Sequence, residues 1–425
     1  EQSKSIYGAK TKSSRPASSD AEVLQYFRQL PAKPLGAGQP VHSTARVVLI
    51  CASGKGGVGK STVAVNLAFS LQLLGLEVGL LDLDVYGPSL PELVKLPPDS
   101  VGQNEAGRLV PIDYGGVGLM SWGYISQQAA TIRAPIATQI VSQLLTSVEW
   151  GALDILIIDT PPGTGDVLLS LAQTLQVDGA LLVTTANGLS LADVAKGIEL
   201  FDKVEIPATL VVVNMARLCC ESCGHEQVLF ADSAESYLPK FLESRRLGFV
   251  QLPLEPALSQ APAVPLPPNA YSYPFVRNPE FEGRPVWLAF QRMANQVLRE
   301  LLGMNLRTAR AGQTSLATLR LRSRGSLELR LPSGDLRSVA CGMVRANCRC
   351  AHCVDDLTGE EKIDREQLRM DRSIHALHVE DVGNYAVRVA FSDGHSTLIS
   401  LRALEALCRD PSSTDRKPSG VSSMW

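Results

Sequence analysis

A chain of 425 residues with 45% hydrophobic side chains has room for two or three domains, each with a sizeable core. Its formal charge of −3 offers nucleic acid no electrostatic footprint, and no apolar run approaches the roughly 18 to 20 residues that span a bilayer, so neither partner is expected. Nine cysteines, most of them clustered at metal-ligand spacing, point to a reducing compartment and metal centres rather than a disulfide framework.

Residues 1–43 are rich in Ser, Lys, Ala and Pro and read as a disordered arm with one amphipathic stretch, AEVLQYFRQL, of helical spacing. The first residue is Glu1 rather than methionine, which fits a processed product or a fragment. Next, ARVVLICAS is an apolar, β-branched run that predicts a strand, and STVAVNLAFSLQLLG beyond it has helical periodicity. Between them lies GKGGVGKST, from Gly54 to Thr62. Gly54, Gly59, Lys60 and Ser61 satisfy the phosphate-loop pattern of glycine, four residues, glycine, lysine and serine or threonine. Gly54, Gly56, Gly57 and Gly59, with Val58 among them, let backbone N–H groups close on a polyphosphate where a Cβ would strike its oxygens. Lys60 is placed to reach the β/γ-phosphates of ATP and the Ser61 hydroxyl to ligate Mg²⁺, while Thr62 continues into the helix whose dipole favours the anion. Lys55 is a second lysine inside the loop and makes it a deviant Walker A sequence.

LEVGLLDLDVYGPSLP predicts a buried strand ending in Asp82 and Asp84, and DILIIDTPPGTGD another ending in Asp159. Parallel strands buried on both faces read as continuous apolar runs, and open α/β sheets bind ligands at the C-terminal ends of such strands. Asp159 is therefore expected to hold Mg²⁺ through water, Asp82 to stand beside it as a metal-site residue, and Asp84 to orient the attacking water. In isolation each would serve equally as a helix N-cap. The strand TLVVVNM carries Asn214, which alone reads as a turn asparagine.

RLCCESCGHE places Cys220 and Cys223 in a C-x-x-C, with Cys219 and His225 as bystanders. Two thiolates are half of a four-ligand site, and a two-fold dimer would complete it; half a zinc knuckle or a redox dithiol has the same spacing. RLGFVQLPLEPALS predicts a returning strand, the Pro-rich QAPAVPLPPNAYSYP an extended loop, and PVWLAFQRMANQVLRELLG an amphipathic helix that closes a domain spanning 44–304. After a linker at 305–313, residues 314–408 alternate with period two between Gly-Asp and Asp-Gly turns, the signature of a small antiparallel β domain. There Cys348, Cys350 and Cys353 form a C-x-C-x-x-C, and His395 in SDGHST is the candidate fourth ligand of a closed structural zinc set. His375 and His378 read as strand-surface residues and Cys341 and Cys408 as core or surface thiols; 409–425 reads as a disordered tail.

Taken together, SGKGGVGKST, DLDVYGPSLP, IIDTPPGTGD and VVNM resemble the Mrp/ApbC family of P-loop ATPases over roughly Arg46 to Leu302. The resemblance implies an α/β fold with a mostly parallel sheet of the SIMIBI type. It also implies a homodimer sandwiching ATP, with Lys55 crossing to the partner's nucleotide and Asn214 contacting the base. Lys55, Lys60, Asp84 and Asp159 would be the catalytic set. A bridging [4Fe–4S] cluster at Cys220 and Cys223 would come from upstream assembly donors and pass to apo iron–sulfur proteins. Ala134, Ala186-Asn187 and the Pro-rich loop depart from the family pattern. Residues from about Thr314 to Cys408 resemble the small domain at the N-terminus of gamma-butyrobetaine hydroxylase, which is also fused behind the ATPase in plastid Mrp-like scaffolds. That resemblance implies Zn²⁺ at Cys348, Cys350, Cys353 and His395, with a second cluster or transfer site as the alternative. It favours the chloroplast stroma, with cytoplasm or mitochondrion still open. Two rival readings are a Min/Par-type spatial organiser and a zinc-containing nucleotide-dependent binding protein.

Overall fold

The computed structural model describes residues 20–35, 43–96, 101–125, 134–163, 166–186, 188–219, 225–228, 242, 245, 247–255, 275–310, 318–323, 325–331, 335–348, 350, 352–354, 360–382 and 386–409. Ten strands form one sheet: β1 (Lys33–Pro34), β2 (Ser43–Ala52), β3 (Val78–Asp82), β4 (Ile112–Tyr114), β5 (Val117–Ser121), β6 (Gly151–Asp159), β7 (Gly179–Thr185), β8 (Ala208–Cys219), β9 (Glu226–Val228) and β10 (Gly248–Leu254). The order across it is β9-β8-β7-β2-β6-β3-β5-β4, with β10 parallel to β8 and β1 antiparallel to β2. Strands β8, β7, β2, β6, β3 and β5 run parallel, and β9 and β4 pair antiparallel at the edges.

The central strands are apolar on both faces because both faces are covered. Val47, Leu49 and Cys51 of β2, with Ile155 and Ile157 of β6, face a core built with helices α1 (Asp20–Arg28), α2 (Lys60–Leu73) and α6 (Pro285–Arg310). Val48, Ile50, Ala52, Leu156 and Ile158 face a second core that includes residues of α3 (Ala134–Ser147), α4 (Asp166–Thr174) and α5 (Gly188–Lys203). Helix α2 lies between sheet and α6 and is buried along ten of its residues. Among the described residues no helix is long and apolar enough to cross a membrane.

Two boundaries differ from the sequence expectation. The arm at 1–43 is not structureless throughout: α1 buries Val23 and Phe27 against α6, and β1 extends the main sheet. Helix α6 continues through Arg310, so residues 305–310 of the expected linker are helical backbone, as NLRTAR contains no Gly or Pro to stop them.

The C-terminal part is antiparallel, as its alternation predicts. Strands β11 (Thr318–Ser323), β12 (Ser326–Arg330) and β13 (Leu336–Ala340) form one sheet, and β14 (Ala376–Val382), β15 (Ala386–Phe391) and β16 (Ser396–Ser400) another. With the short helices α7 (Cys341–Ala346) and α8 (Arg365–Met370) and with α9 (Leu401–Arg409), they accompany a third core that includes Leu327, Val339, Val344, Val389 and Leu404. Cys341 and Cys408 are buried thiols, and His378 is exposed on β14.

Candidate functional site

The phosphate loop joins β2 to α2 at the C-terminal end of the parallel strands. Gly57 and Gly59 hold φ of 77° and 82°, the left-handed region open to glycine. The loop is fastened at both ends. The Ser53 hydroxyl donates to Lys55 O at 2.9 Å, and Gly163 N–H donates to Ser53 O at 3.0 Å. Asn214 Nδ2 donates to Val58 O at 2.9 Å, and a Cβ on Gly59 would come within 2.3 Å of that same nitrogen. The asparagine thus grips the loop itself. It stands where β8 leaves regular pairing: Met215 has φ of 54° and the β8–β10 register shifts between Val213 and Arg217.

Lys60, the first residue of α2, folds onto the strand ends, pairing with Asp159 and donating to Ser61 Oγ at 3.2 Å. Burial pushes the Asp159 carboxyl above the usual carboxylate range, and the ammonium of Lys60 pulls it back. Asp82 is the register partner of Asp159 across β3 and β6. Burial, then repulsion from Asp159, pushes its carboxyl up to about 7, against the opposing pull of the N–H groups of Asp84 and Leu90. Those groups donate to Asp82 at 3.0 and 3.1 Å, and Ser121 Oγ at 3.1 Å. Three protein donors occupy three of about four lone-pair positions on this carboxylate, so its first job is to brace the turn after β3. Asp84 on that turn is half-buried and accepts from Gly87 N–H at 3.2 Å. It lines a cavity of about 540 Å³ shared with Ser53, Gly54, Thr160 and Gly163. Lys55 is half-buried and joins no ion pair among the described residues. The segment from Gly54 to Thr62 is thus anchored beside both carboxylates: Gly54 shares the cavity with Asp84, and Lys60 pairs with Asp159.

Cys220 and Cys223 lie outside the described residues. Their flanks are described: Cys219 closes β8 opposite Glu226 of β9, so an antiparallel pair holds the two ends of the segment that carries the C-x-x-C. His225 is exposed.

In the C-terminal part the four predicted ligands converge. The ligand atoms of Cys348, Cys350, Cys353 and His395 all lie within 4.8 Å of one another. His395 Nε2 is 3.2, 3.5 and 3.6 Å from the three Sγ atoms in that order. With metal–sulfur bonds of about 2.3 Å and metal–nitrogen bonds of about 2.0–2.1 Å, a tetrahedral ion has S···N edges of about 3.6 Å. The set therefore fits one tetrahedral ion. A cubane, which distributes its ligands over separate irons, would need them further apart. Burial, then the nearby Arg345 guanidinium, lowers the affinity of His395 for a proton, which suits a neutral imidazole ligand.

Three polar residues of these two sites escape motif reading. Ser121 ends β5 and reaches Asp82 only because β5 pairs with β3. Arg345 and Asp393 flank the cysteine–histidine set: Arg345 Nη1 is 3.4 Å from Cys353 Sγ, and its Nε is 2.7 Å from Asp393 Oδ2. Their sequence signal is slight, an arginine three residues before the first ligand and an aspartate two before the last.

A two-lysine phosphate loop, strand-end carboxylates and a mostly parallel sheet define a nucleotide-binding P-loop NTPase, a class whose chemistry is nucleotide hydrolysis. Residues 44–266 match the NUBPL iron-transfer P-loop NTPases, and 319–402 match the gamma-butyrobetaine hydroxylase-like N-terminal domain. The chain belongs to this iron-transfer NTPase family. It is 35% identical over 383 residues to the chloroplastic Fe-S cluster assembly factor HCF101 of Arabidopsis thaliana, covering 89% of this chain and 68% of that protein. It is 38% identical over 270 residues to the iron-sulfur cluster carrier protein of Haemophilus influenzae, covering 62% of this chain and 69% of that one. A nucleotide-binding protein of Archaeoglobus fulgidus, solved with ADP, aligns with 57% of this chain and 89% of its own at 29% identity and a TM-score of 0.44.

Proposed function

We propose that the protein is an ATP-driven iron–sulfur carrier that receives a [4Fe–4S] cluster from upstream donors and delivers it to apo iron–sulfur proteins. The observation that carries this reading is the course of β8, whose Asn214 grips the phosphate loop and whose last residue, Cys219, adjoins the C-x-x-C. One strand therefore links the nucleotide cradle to Cys220 and Cys223. At no more than about 3.3 Å per residue Asn214 and Cys220 are at most roughly 20 Å apart, a short path along one segment for a shift of the loop to follow. The chloroplastic relative supports a plastid location, the stroma by preference.

The chemistry starts from Lys60. Without nucleotide its ammonium neutralises buried Asp159; arriving phosphates draw it away and leave Asp159 and Ser61 free to hold Mg²⁺. Mg²⁺ held there would supply positive charge to offset the negative charge that develops on the phosphates during transfer. Asp82, with one lone-pair position left free by its protein donors, would stand beside the ion as a further acceptor, and Asp84 would orient the attacking water from the cavity wall. In a homodimer Lys55 reaches across to the partner's nucleotide, and two copies of Cys220 and Cys223 supply the four thiolates that a shared cluster needs. Cys348, Cys350, Cys353 and His395 hold structural zinc.

The test is iron, acid-labile sulfide and zinc per chain in anaerobically reconstituted protein, wild type against Cys220→Ser/Cys223→Ser. The expected result is about two irons and two sulfides per chain, lost in the double variant, with about one zinc retained. Zinc alone in the wild type would remove the carrier reading.

A further inference from the structure

The cysteine–histidine set carries a charge that its ligands do not balance. Three thiolates and a neutral imidazole around a divalent ion sum to −1, and Cys348 and Cys353 are almost wholly buried. A buried net charge needs a partner. Arg345 supplies one. Its residue exposure is 7%, its Nη1 donates to Cys353 Sγ at 3.4 Å, and its Nε donates to Asp393 Oδ2 at 2.7 Å. The other oxygen, Asp393 Oδ1, accepts from His395 N–H at 3.0 Å. One guanidinium thus touches a ligand on the C-x-C-x-x-C segment and, through Asp393, fixes the turn that presents the histidine. Chain separation makes the link informative, since Arg345 and Asp393 lie 48 positions apart.

We propose that Arg345 and Asp393 are a positioning pair for the metal centre, Arg345 hydrogen-bonding the Cys353 thiolate and setting positive charge beside it while Asp393, exposed to water, ties that arginine to the His395 turn. The proposal rests on the zinc reading of Cys348, Cys350, Cys353 and His395. A lysine could not do the same work, because the planar fork reaches sulfur and carboxylate at once.

The test uses the full chain carrying zinc, or cobalt(II) in its place. Arg345→Met is expected to weaken metal retention against a chelator by about 10- to 100-fold, the usual effect of removing an outer partner of a metal ligand. A hydrogen bond stabilises the sulfur lone pairs, so its loss should move the thiolate-to-cobalt absorption to lower energy, a signature that loosened packing alone would not give. Asp393→Asn keeps an acceptor for His395 N–H but weakens the grip on Arg345, and should shift both readouts the same way by less. Wild-type affinity and an unmoved band in folded Arg345→Met would overturn the proposal; should that variant fail to fold, the same pair of results in Asp393→Asn would do so. If Cys348→Ser/Cys350→Ser binds as much zinc as wild type, the zinc reading itself falls and takes the proposal with it.

Discussion

Two glycines of the phosphate loop have nearly the same backbone conformation but different surroundings, and their alanine variants should separate strain from collision. Gly57 has φ of 77° and open space where a Cβ would stand; Gly59 has φ of 82° and Asn214 Nδ2 at 2.3 Å from that point. Forcing alanine into the left-handed region costs about 1–2 kcal/mol at either position. At Gly59 the Cβ must also expel Asn214 from its bond to Val58 O, leaving buried polar groups unmet at a further cost of about 1–3 kcal/mol. Gly57→Ala should therefore lose about 1–2 kcal/mol and Gly59→Ala about 2–5 kcal/mol. Urea unfolding followed by tryptophan fluorescence is the assay, since Trp122, Trp150 and Trp287 all sit in the NTPase part of the chain. Asn214→Ala makes room for the new methyl, so the Gly59→Ala/Asn214→Ala variant should be less destabilised than the sum of the singles, by about 1–3 kcal/mol. Equal losses for Gly57→Ala and Gly59→Ala, or strict additivity in the cycle, would refute the contact between strand β8 and the loop.

Lys60→Ala strands Asp159 as a buried, unpaired carboxylate and should cost about 3–5 kcal/mol at pH 8. The loss should shrink as pH falls, because burial holds this carboxyl above its usual range and it takes up a proton more readily once its ammonium partner is gone; a loss independent of pH would contradict the pairing. Asp82 reaches about 7 in the folded chain from an ordinary value of 3.8, so the folded form keeps a proton that the unfolded form has released. Wild-type stability should accordingly decline as pH rises from about 4 to about 7, by up to about 4 kcal/mol from this group, and Asp82→Asn should flatten that decline in chemical unfolding measured across the window. Phe27 is fully buried under α6, and Phe27→Ala should cost about 3 kcal/mol in the same unfolding assay; a change under about 0.5 kcal/mol would mean that helix α1 contributes little to the fold.

What the sequence made legible is what local pattern determines. Strands β2, β3 and β6 are covered on both faces and so announce themselves as unbroken apolar runs, and the carboxylates that end β3 and β6 fall at the functional edge because parallel strands share a direction. The C-x-C-x-x-C and the Asp-Gly turn carry a four-residue set whose ligand atoms the fold brings within 4.8 Å of one another. What stayed hidden depends on distant pairing. Asn214 stood out as a strand-end residue, yet its grip on Val58 spans 156 positions. Helix α1 carries only two buried apolar anchors, Val23 and Phe27, on a polar segment, and nothing local says that α6 will cover them.

The same limit separates a cation that a motif declares from one that no motif does. Lys60 belongs to a motif because phosphate loops as a class need a flexible point charge, and here that charge rests on Asp159. Arg345 belongs to none, because it is set by the shape of the ligand cage it braces. Each meets buried negative charge, Asp159 in one case and the Cys353 sulfur in the other, and Arg345 also holds the exposed Asp393. The difference in chemistry fits the difference in task. A strongly hydrated ammonium on a long stem suits a partner that an incoming anion can displace, and a rigid guanidinium fork, held at two points, suits a cage of fixed shape.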